Sequence, residues 1–407
     1  MARSIPFAAF VAVVVSAQAC VAQDNRGAIE QGRYLVTAAD CAGCHTGPAG
    51  KPFAGGRAIE TPFGTIYSAN ITPDRETGIG GWDDEAFYNA LHSGIGPGGA
   101  HYFPAFPYAY FTGLMREDVL AMRAYLLTLE PASSERHSPQ LYWPLNYRFL
   151  MSGWNLLFFD EDTFRANAQK SAEWNRGAYL VQALGHCGAC HTPKNWFGAD
   201  RPGHSLEGGL VQDWFAPDIT GNPRTGIGSW SVEELVEYLK TGHNARSDTT
   251  GLMAEVVSGS TSNLSEQDLR AIADYLKDQK GRPPEPSPAP AMETMKAGEV
   301  VYEGHCAACH ESDGTGQPRM FTPLVDNPNV RSVDATSLIR LVLEGGEALP
   351  TEAQPTAAAM TAYHARLDDE QIADVLSYVR NKWGNSAAPV SAAEVRLVRG
   401  RLGLPPK

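Results

Sequence analysis

Six of the seven cysteines fall in one five-residue pattern used three times: Cys41-Ala-Gly-Cys44-His45, Cys187-Gly-Ala-Cys190-His191 and Cys306-Ala-Ala-Cys309-His310. Cysteines at i and i+3 share one face of a helical turn. Their sulfurs can add to the two vinyl groups of one haem while the adjacent histidine presents a ring nitrogen to the iron. The pattern therefore predicts three covalently bound haem c groups, with His45, His191 and His310 as iron ligands. Competing chemistries fit worse. Zinc sites join two Cys-x-x-Cys pairs and do not follow each pair with His. A thioredoxin-like site needs one copy in a βαβ setting. Disulfides would use cysteines that haem attachment already consumes, leaving only Cys20.

An electron-carrying haem is commonly closed on its second side by methionine, which raises its potential. That ligand is expected in the loop ahead of each repeat's last helix. Met360 stands eight residues before the expected helix start at Asp368, and Met253 twelve before Ser265. Repeat one has Phe103-Pro-Ala-Phe106 where a methionine is expected. Met122 falls on an apolar stripe and is assigned to the core. Met115 is the best methionine on offer there, His101 would make a bis-histidine haem, and an open iron is the third alternative. His92, His137, His204, His243 and His364 are assigned to surface or polar contacts, and His186 and His305 receive no role.

The elements that must position these groups also repeat. Helix-like leads precede each pattern: Gly32-Arg-Tyr-Leu-Val36, Gly177-Ala-Tyr-Leu-Val181 and Gly298-Glu-Val-Val-Tyr302. Asn70-Ile-Thr72 and Asp218-Ile-Thr220 lead into Thr77-Gly-Ile-Gly-Gly-Trp82 and Thr225-Gly-Ile-Gly-Ser-Trp230. These loops do not match a phosphate cradle; packing against a haem edge or propionate, with the tryptophans shielding the ring, is expected. Stripes at i, i+3, i+4, i+7 close the repeats: Val119, Met122 and Leu126; Leu269, Ile272, Ala273 and Leu276; Ile372, Val375, Leu376 and Val379. Ser231 with Glu234, and Ser265 with Asp268, read as capping boxes. Strand-like alternation is almost absent, so the chain is expected to be mainly α, with three small helical domains at 24–140, 171–280 and 294–384.

Between the first two lies an aromatic-rich connecting segment, 141–170, holding Tyr142, Trp143, Tyr147, Phe149, Trp154, Phe158 and Phe159. It is expected to clasp domain one to domain two; docking a partner or a membrane surface is the alternative. A Pro-rich linker, 281–293, with Pro283, Pro284, Pro286, Pro288 and Pro290, makes a semi-rigid spacer before the third. Residues 385–407 form a C-terminal tail, expected to strap onto its own domain.

Residues 1–22 read as a signal peptide: Arg3, an apolar stretch from Ile5 to Val15, then Ala17-Gln-Ala19. The mature chain is then placed in the periplasm, peripheral on the outer face of the inner membrane at most, with Cys20 either lipidated or removed. No internal run of about 18 apolar residues could span a bilayer. A net charge of −13 argues against nucleic acid as a partner.

Over residues 28–383 the chain resembles the triheme cytochrome c subunits of periplasmic bacterial dehydrogenases. The residues that carry the likeness are the three Cys-x-x-Cys-His patterns, Asn70-Ile-Thr-Pro-Asp74, Tyr102-Phe-Pro-Ala-Phe-Pro-Tyr108, Gly153-Trp-Asn-Leu-Leu-Phe158 and Met360. The resemblance implies three tandem class I cytochrome c-like domains. It also implies a catalytic dehydrogenase subunit as electron donor, and ubiquinone or a terminal oxidase as acceptor. Members often carry a methionine near the position of Phe106 or Leu114, and this chain has it at neither. The expected function is an electron-transfer subunit with no catalytic residue of its own, since no flavin, pterin or quinone-cofactor domain is apparent. The alternative is a self-standing oxidoreductase acting on peroxide or thiosulfate at an open haem in domain one.

Overall fold

A computed structural model describes residues 26–283, 286–317, 320–348, 350 and 359–407. The expected signal peptide, Cys20 and Pro284 lie outside them.

Each repeat is framed by a lead helix crossing a closing helix at a glycine. Residues 26–38 cross Arg116–Leu126, Ala172–Tyr179 crosses Glu266–Asp278, and Met292–His305 crosses Asp369–Val379. A Cβ on Gly32 would lie 1.9 Å from the Ala121 carbonyl oxygen and 3.0 Å from Tyr125 Cβ. On Gly177 it would lie 1.9 Å from the Ala271 oxygen and 2.9 Å from Tyr275 Cβ. On Gly298 the same contacts are 2.2 Å to the Asp374 oxygen and 2.6 Å to Tyr378 Cβ. Only glycine lets the backbones approach this closely. Tyr125, Tyr275 and Tyr378 therefore mark one recurring crossing, and the expected apolar stripes are buried beneath it.

Ser231 and Glu234 close a full capping box. Ser265 caps its helix, but the Asp268 carboxylate turns away to Arg176 at 2.8 and 2.9 Å and to Tyr34 Oη at 2.7 Å. Short strands also occur. Ala58–Thr61 pairs with Gly64–Tyr67 and onward with Gln140–Leu141; Gly209–Val211 pairs with Trp214–Ala216, and Gly346–Glu347 with Ala359–Met360. Strands of two to four residues are too short to show an alternation in sequence, which is why periodicity missed them.

Repeats one and two share one apolar cluster that runs from Leu35 through Leu114 and Leu184 to Leu276. Across their seam Tyr179 Oη donates to the buried Asp118 carboxylate and accepts from the Met115 backbone N–H. Repeat three keeps its own cluster around Tyr302, Leu343 and Ile372. It meets repeat two through polar groups: Arg246 pairs with Asp326 at 2.8 Å, and Ser337 bonds both the N–H and the C=O of Phe215 at 2.8 and 3.0 Å. The tail helix, Ala392–Arg401, buries Val395 and Val398 in the third cluster, and Arg399 donates to Asp369 at 2.7 Å. That is the expected strap.

The aromatic segment is only partly a clasp. Its helix, Leu150–Phe158, is held by Trp154 Nε1 donating to the Phe197 carbonyl at 3.0 Å and by Asn155 accepting from Tyr108 Oη at 2.6 Å. Yet Trp143 is 80% exposed, Phe149 70%, Leu156 86% and the neighbouring Trp196 95%, so an apolar face is left open to a partner. Among the described residues no helix is long and apolar enough to cross a membrane.

Candidate cofactor sites

Each Cys-x-x-Cys-His pattern folds as a single helical turn, Cys41–His45, Gly188–His191 and Ala307–His310, so both sulfurs and the imidazole project from one short rod. None of these six cysteines is paired in a disulfide. Burial pushes the Cys44 thiol up to about 11, with Asp40 adding to it, and pushes Cys187 up to about 12 and Cys306 up to about 11.

The histidines share one arrangement that spacing alone did not reveal. His45 Nδ1 lies 2.6 Å from the Ala69 carbonyl oxygen, His191 Nδ1 2.7 Å from that of Pro217, and His310 Nδ1 2.9 Å from that of Thr322. Burial holds all three rings below the usual histidine range, hence neutral, against the opposing pull of those carbonyls. A neutral imidazole that donates Nδ1–H to a carbonyl turns Nε2 into the metal-facing nitrogen, with its orientation locked. A backbone carbonyl carries no residue-type signal. Two of them were nonetheless findable, because Ala69 and Pro217 immediately precede the repeated Asn70-Ile-Thr and Asp218-Ile-Thr segments. Those segments fix the turn: Asn70 accepts from the Thr72 N–H at 2.9 Å, and Asp218 from the Thr220 N–H at 2.8 Å. The glycine loops behind them pack on their own chain. A Cβ at Gly80 would meet the Pro73 oxygen at 2.0 Å, and one at Gly228 the Gly221 oxygen at 2.1 Å.

In repeat three Cys306, Cys309, His310 and Met360 line one cleft open to solvent. Met360 sits in the two-residue strand Ala359–Met360, ahead of the closing helix as expected. Met253 lies on a helix, Gly251–Gly259, where a loop was expected, and packs on the shared core of repeats one and two. Met115 stands just ahead of Arg116–Leu126, at its N-cap position, and also packs on that core. Met122 is buried in it, as assigned. The His101 ring is engaged by the Asn155 amide at 3.3 Å from Nδ1. Two buried polar atoms in repeat two, Trp230 Nε1 and His243 Nδ1, have no protein partner. Buried polar groups are normally satisfied, so these fit a site completed by a polar group from outside the chain.

The sites are not independent. The residue ahead of Cys187, His186, reaches the Ala39 carbonyl at 3.3 Å, and Arg57 bridges the Gly43 carbonyl and Glu255, both at 2.7 Å. On the other side, Ser247, Asp248 and Thr250 of repeat two line the repeat-three cleft. Burial pushes the Asp248 carboxyl above the usual range, while the Thr322 hydroxyl draws it back.

A family model described as Cytochrome c matches residues 295–383. The chain is 39% identical to the cytochrome c subunit of alcohol dehydrogenase (quinone) from Gluconobacter oxydans, over 96% of this chain and 86% of that protein. It is 36% identical to the gluconate 2-dehydrogenase cytochrome c subunit of Pantoea cypripedii, over 93% and 90%. To one of the subunits of nicotinate dehydrogenase from Pseudomonas putida it is 41% identical over 94% of its own length, but it spans only 32% of that longer protein.

Proposed function

The chain belongs to the cytochrome c subunits of bacterial dehydrogenases, and on that premise we propose that it carries electrons through three covalently held haems. Its three repeats are read as tandem class I cytochrome c-like domains. Cys41 and Cys44, Cys187 and Cys190, and Cys306 and Cys309 hold the haems, with His45, His191 and His310 on the irons. Met253 and Met360 are read as the opposite ligands in repeats two and three. In repeat one Met115 is the favoured candidate, with His101 or an open iron as the alternatives. Haem c supplies a one-electron couple when bound. The chain's own residues anchor it, orient the imidazole, exclude water and offer docking surface. The observation that carries this reading is the thrice-repeated Nδ1–carbonyl clamp beside a Cys-x-x-Cys pair that forms no disulfide.

Export by residues 1–22 would place the chain in the periplasm, where covalent attachment retains the cofactor. A catalytic dehydrogenase subunit is the proposed donor, and ubiquinone or a terminal oxidase the acceptor. The exposed aromatic face around Trp143, Phe149, Leu156 and Trp196 suits a contact with such a partner or with the membrane surface beside it. The relatives' roles as subunits weigh against a self-standing peroxide or thiosulfate enzyme.

The test is purification of the tagged, exported protein from gently solubilised membranes and periplasm, with haem counting by the pyridine haemochrome method and mass spectrometry of what co-purifies. Three haems per chain and a stoichiometric flavin, quinoprotein or molybdenum dehydrogenase are expected. A protein that elutes alone and turns over a small oxidant or reductant would overturn the subunit reading.

A further inference from the structure

We propose that Asp248, a residue of repeat two, is a positioning residue that lowers the reduction potential of the haem held in repeat three. It acts through Thr322 on the iron ligand His310. The inference rests on the haem reading above and adds a determinant from outside the repeat. The geometry is a relay of two contacts. Thr322 Oγ1 donates to Asp248 Oδ2, and the Thr322 carbonyl, on the same residue, accepts from His310 Nδ1 at 2.9 Å. Asp248 faces the same cleft as Cys306, Cys309, His310 and Met360. The clamps on His45 and His191 come from Ala69 and Pro217 within their own repeats. In repeat three the clamping residue is itself held by a neighbour.

Two effects follow, and they share a sign. Oxidised haem iron carries one more positive charge than reduced iron, and a carboxylate in a partly buried cleft favours the more positive state. The hydroxyl–carboxylate bond also fixes Thr322, so its carbonyl stays on the Nδ1–H and keeps the imidazole a strong donor to the metal. Both favour the oxidised form and lower the potential. Asp248 thereby couples the packing of repeat two against repeat three to the redox equilibrium of the third haem.

The test is a spectroelectrochemical titration of the full exported holoprotein at pH 8, after a haemochrome count. Asp248→Asn keeps an acceptor for Thr322 and removes the charge. Its expected effect is a positive shift of one of the three one-electron steps by about tenfold in equilibrium constant, about 59 mV. Asp248→Glu should restore the original value, and Thr322→Val should shift the same step by less. The step is identified as the third haem's by the strong negative displacement that Met360→His gives it. With three haems counted, no shift in Asp248→Asn, or a shift in a different step, overturns the proposal. A count below three in the unaltered protein removes the haem reading itself, and the proposal with it.

Discussion

Repeats one and two meet through a continuous apolar cluster in which Leu35, Leu114, Ala183 and Leu184 are buried together. Repeats two and three meet through Arg246 with Asp326, Ser337 with Phe215 and Asp248 with Thr322. The seams obey different physics. Apolar burial contributes roughly 25 cal/mol per Å2 and is not screened by salt. Partly exposed ion pairs contribute about 0 to 1 kcal/mol each and are screened. The first pair of repeats should therefore melt as one body and the third as another, joined by a contact that ionic strength can loosen.

The largest test of that division is Gly177→Ala, whose Cβ would sit 1.9 Å from the Ala271 oxygen. Overpacking of this kind costs about 1–3 kcal/mol. Calorimetry of the holoprotein should show the transition of the fused pair lowered and the third body unmoved, with Gly298→Ala giving the reverse. If either variant lowers both transitions equally, the two bodies are one cooperative unit.

Tyr179→Phe probes the apolar seam more gently. Among the described residues it leaves the buried Asp118 carboxylate with the Gln31 amide at 2.7 Å. A lost partner at a buried acceptor costs about 1–3 kcal/mol, and the fall in Tm should be confined to the fused pair.

Asp40 sits at the same seam, facing Gly259 of repeat two, and burial raises its carboxyl from the ordinary 3.8 to about 7. Between those values the folded state holds a proton that the unfolded state has released. Stability of the fused pair should be full below about pH 4, fall as pH rises through 7, and level off above. Asp40→Asn should remove that slope and raise Tm at pH 8; an unchanged slope would mean that Asp40 is ionised in the folded protein.

The smallest effect is expected from Arg246→Ala, which removes pairs to Glu234 and Asp326, each 2.8 Å, at the polar seam. A loss of at most about 1 kcal/mol is expected at low salt and none at high salt. An equal loss at both ionic strengths would show that the seam is held by packing after all.

The frame of the molecule was legible because its signals are local. The apolar stripes from Val119, Leu269 and Ile372, the Ser231 box and the strap-like tail can each be read within a few turns of chain, and each appears in the structure. The misses are interactions whose partners lie far away. Asp268 belongs to a reading of its own helix as a box residue, until Arg176 and Tyr34 claim its carboxylate from other helices. Met253 reads as a loop residue by its distance from Ser265, yet Gly251–Gly259 is helical and packs against the Cys41–His45 turn of repeat one. The aromatic segment reads as a clasp from composition, which cannot separate Phe159, packed edge-on against Tyr108, from Trp143, which stays in solvent.

By itself the sequence determined the chemistry at the sites: three Cys-x-x-Cys-His turns bring thiols and imidazole together through covalent spacing that no fold could rearrange. The repeats, their framing helices and the net charge of −13 were equally its own. Only the tertiary structure decided which carbonyl locks His310, which repeats share a core and which carboxylate of one repeat reaches the histidine clamp of the next. Those are contacts between groups far apart along the chain. They exist only once burial has brought the helices together and removed the water that would otherwise satisfy each group alone.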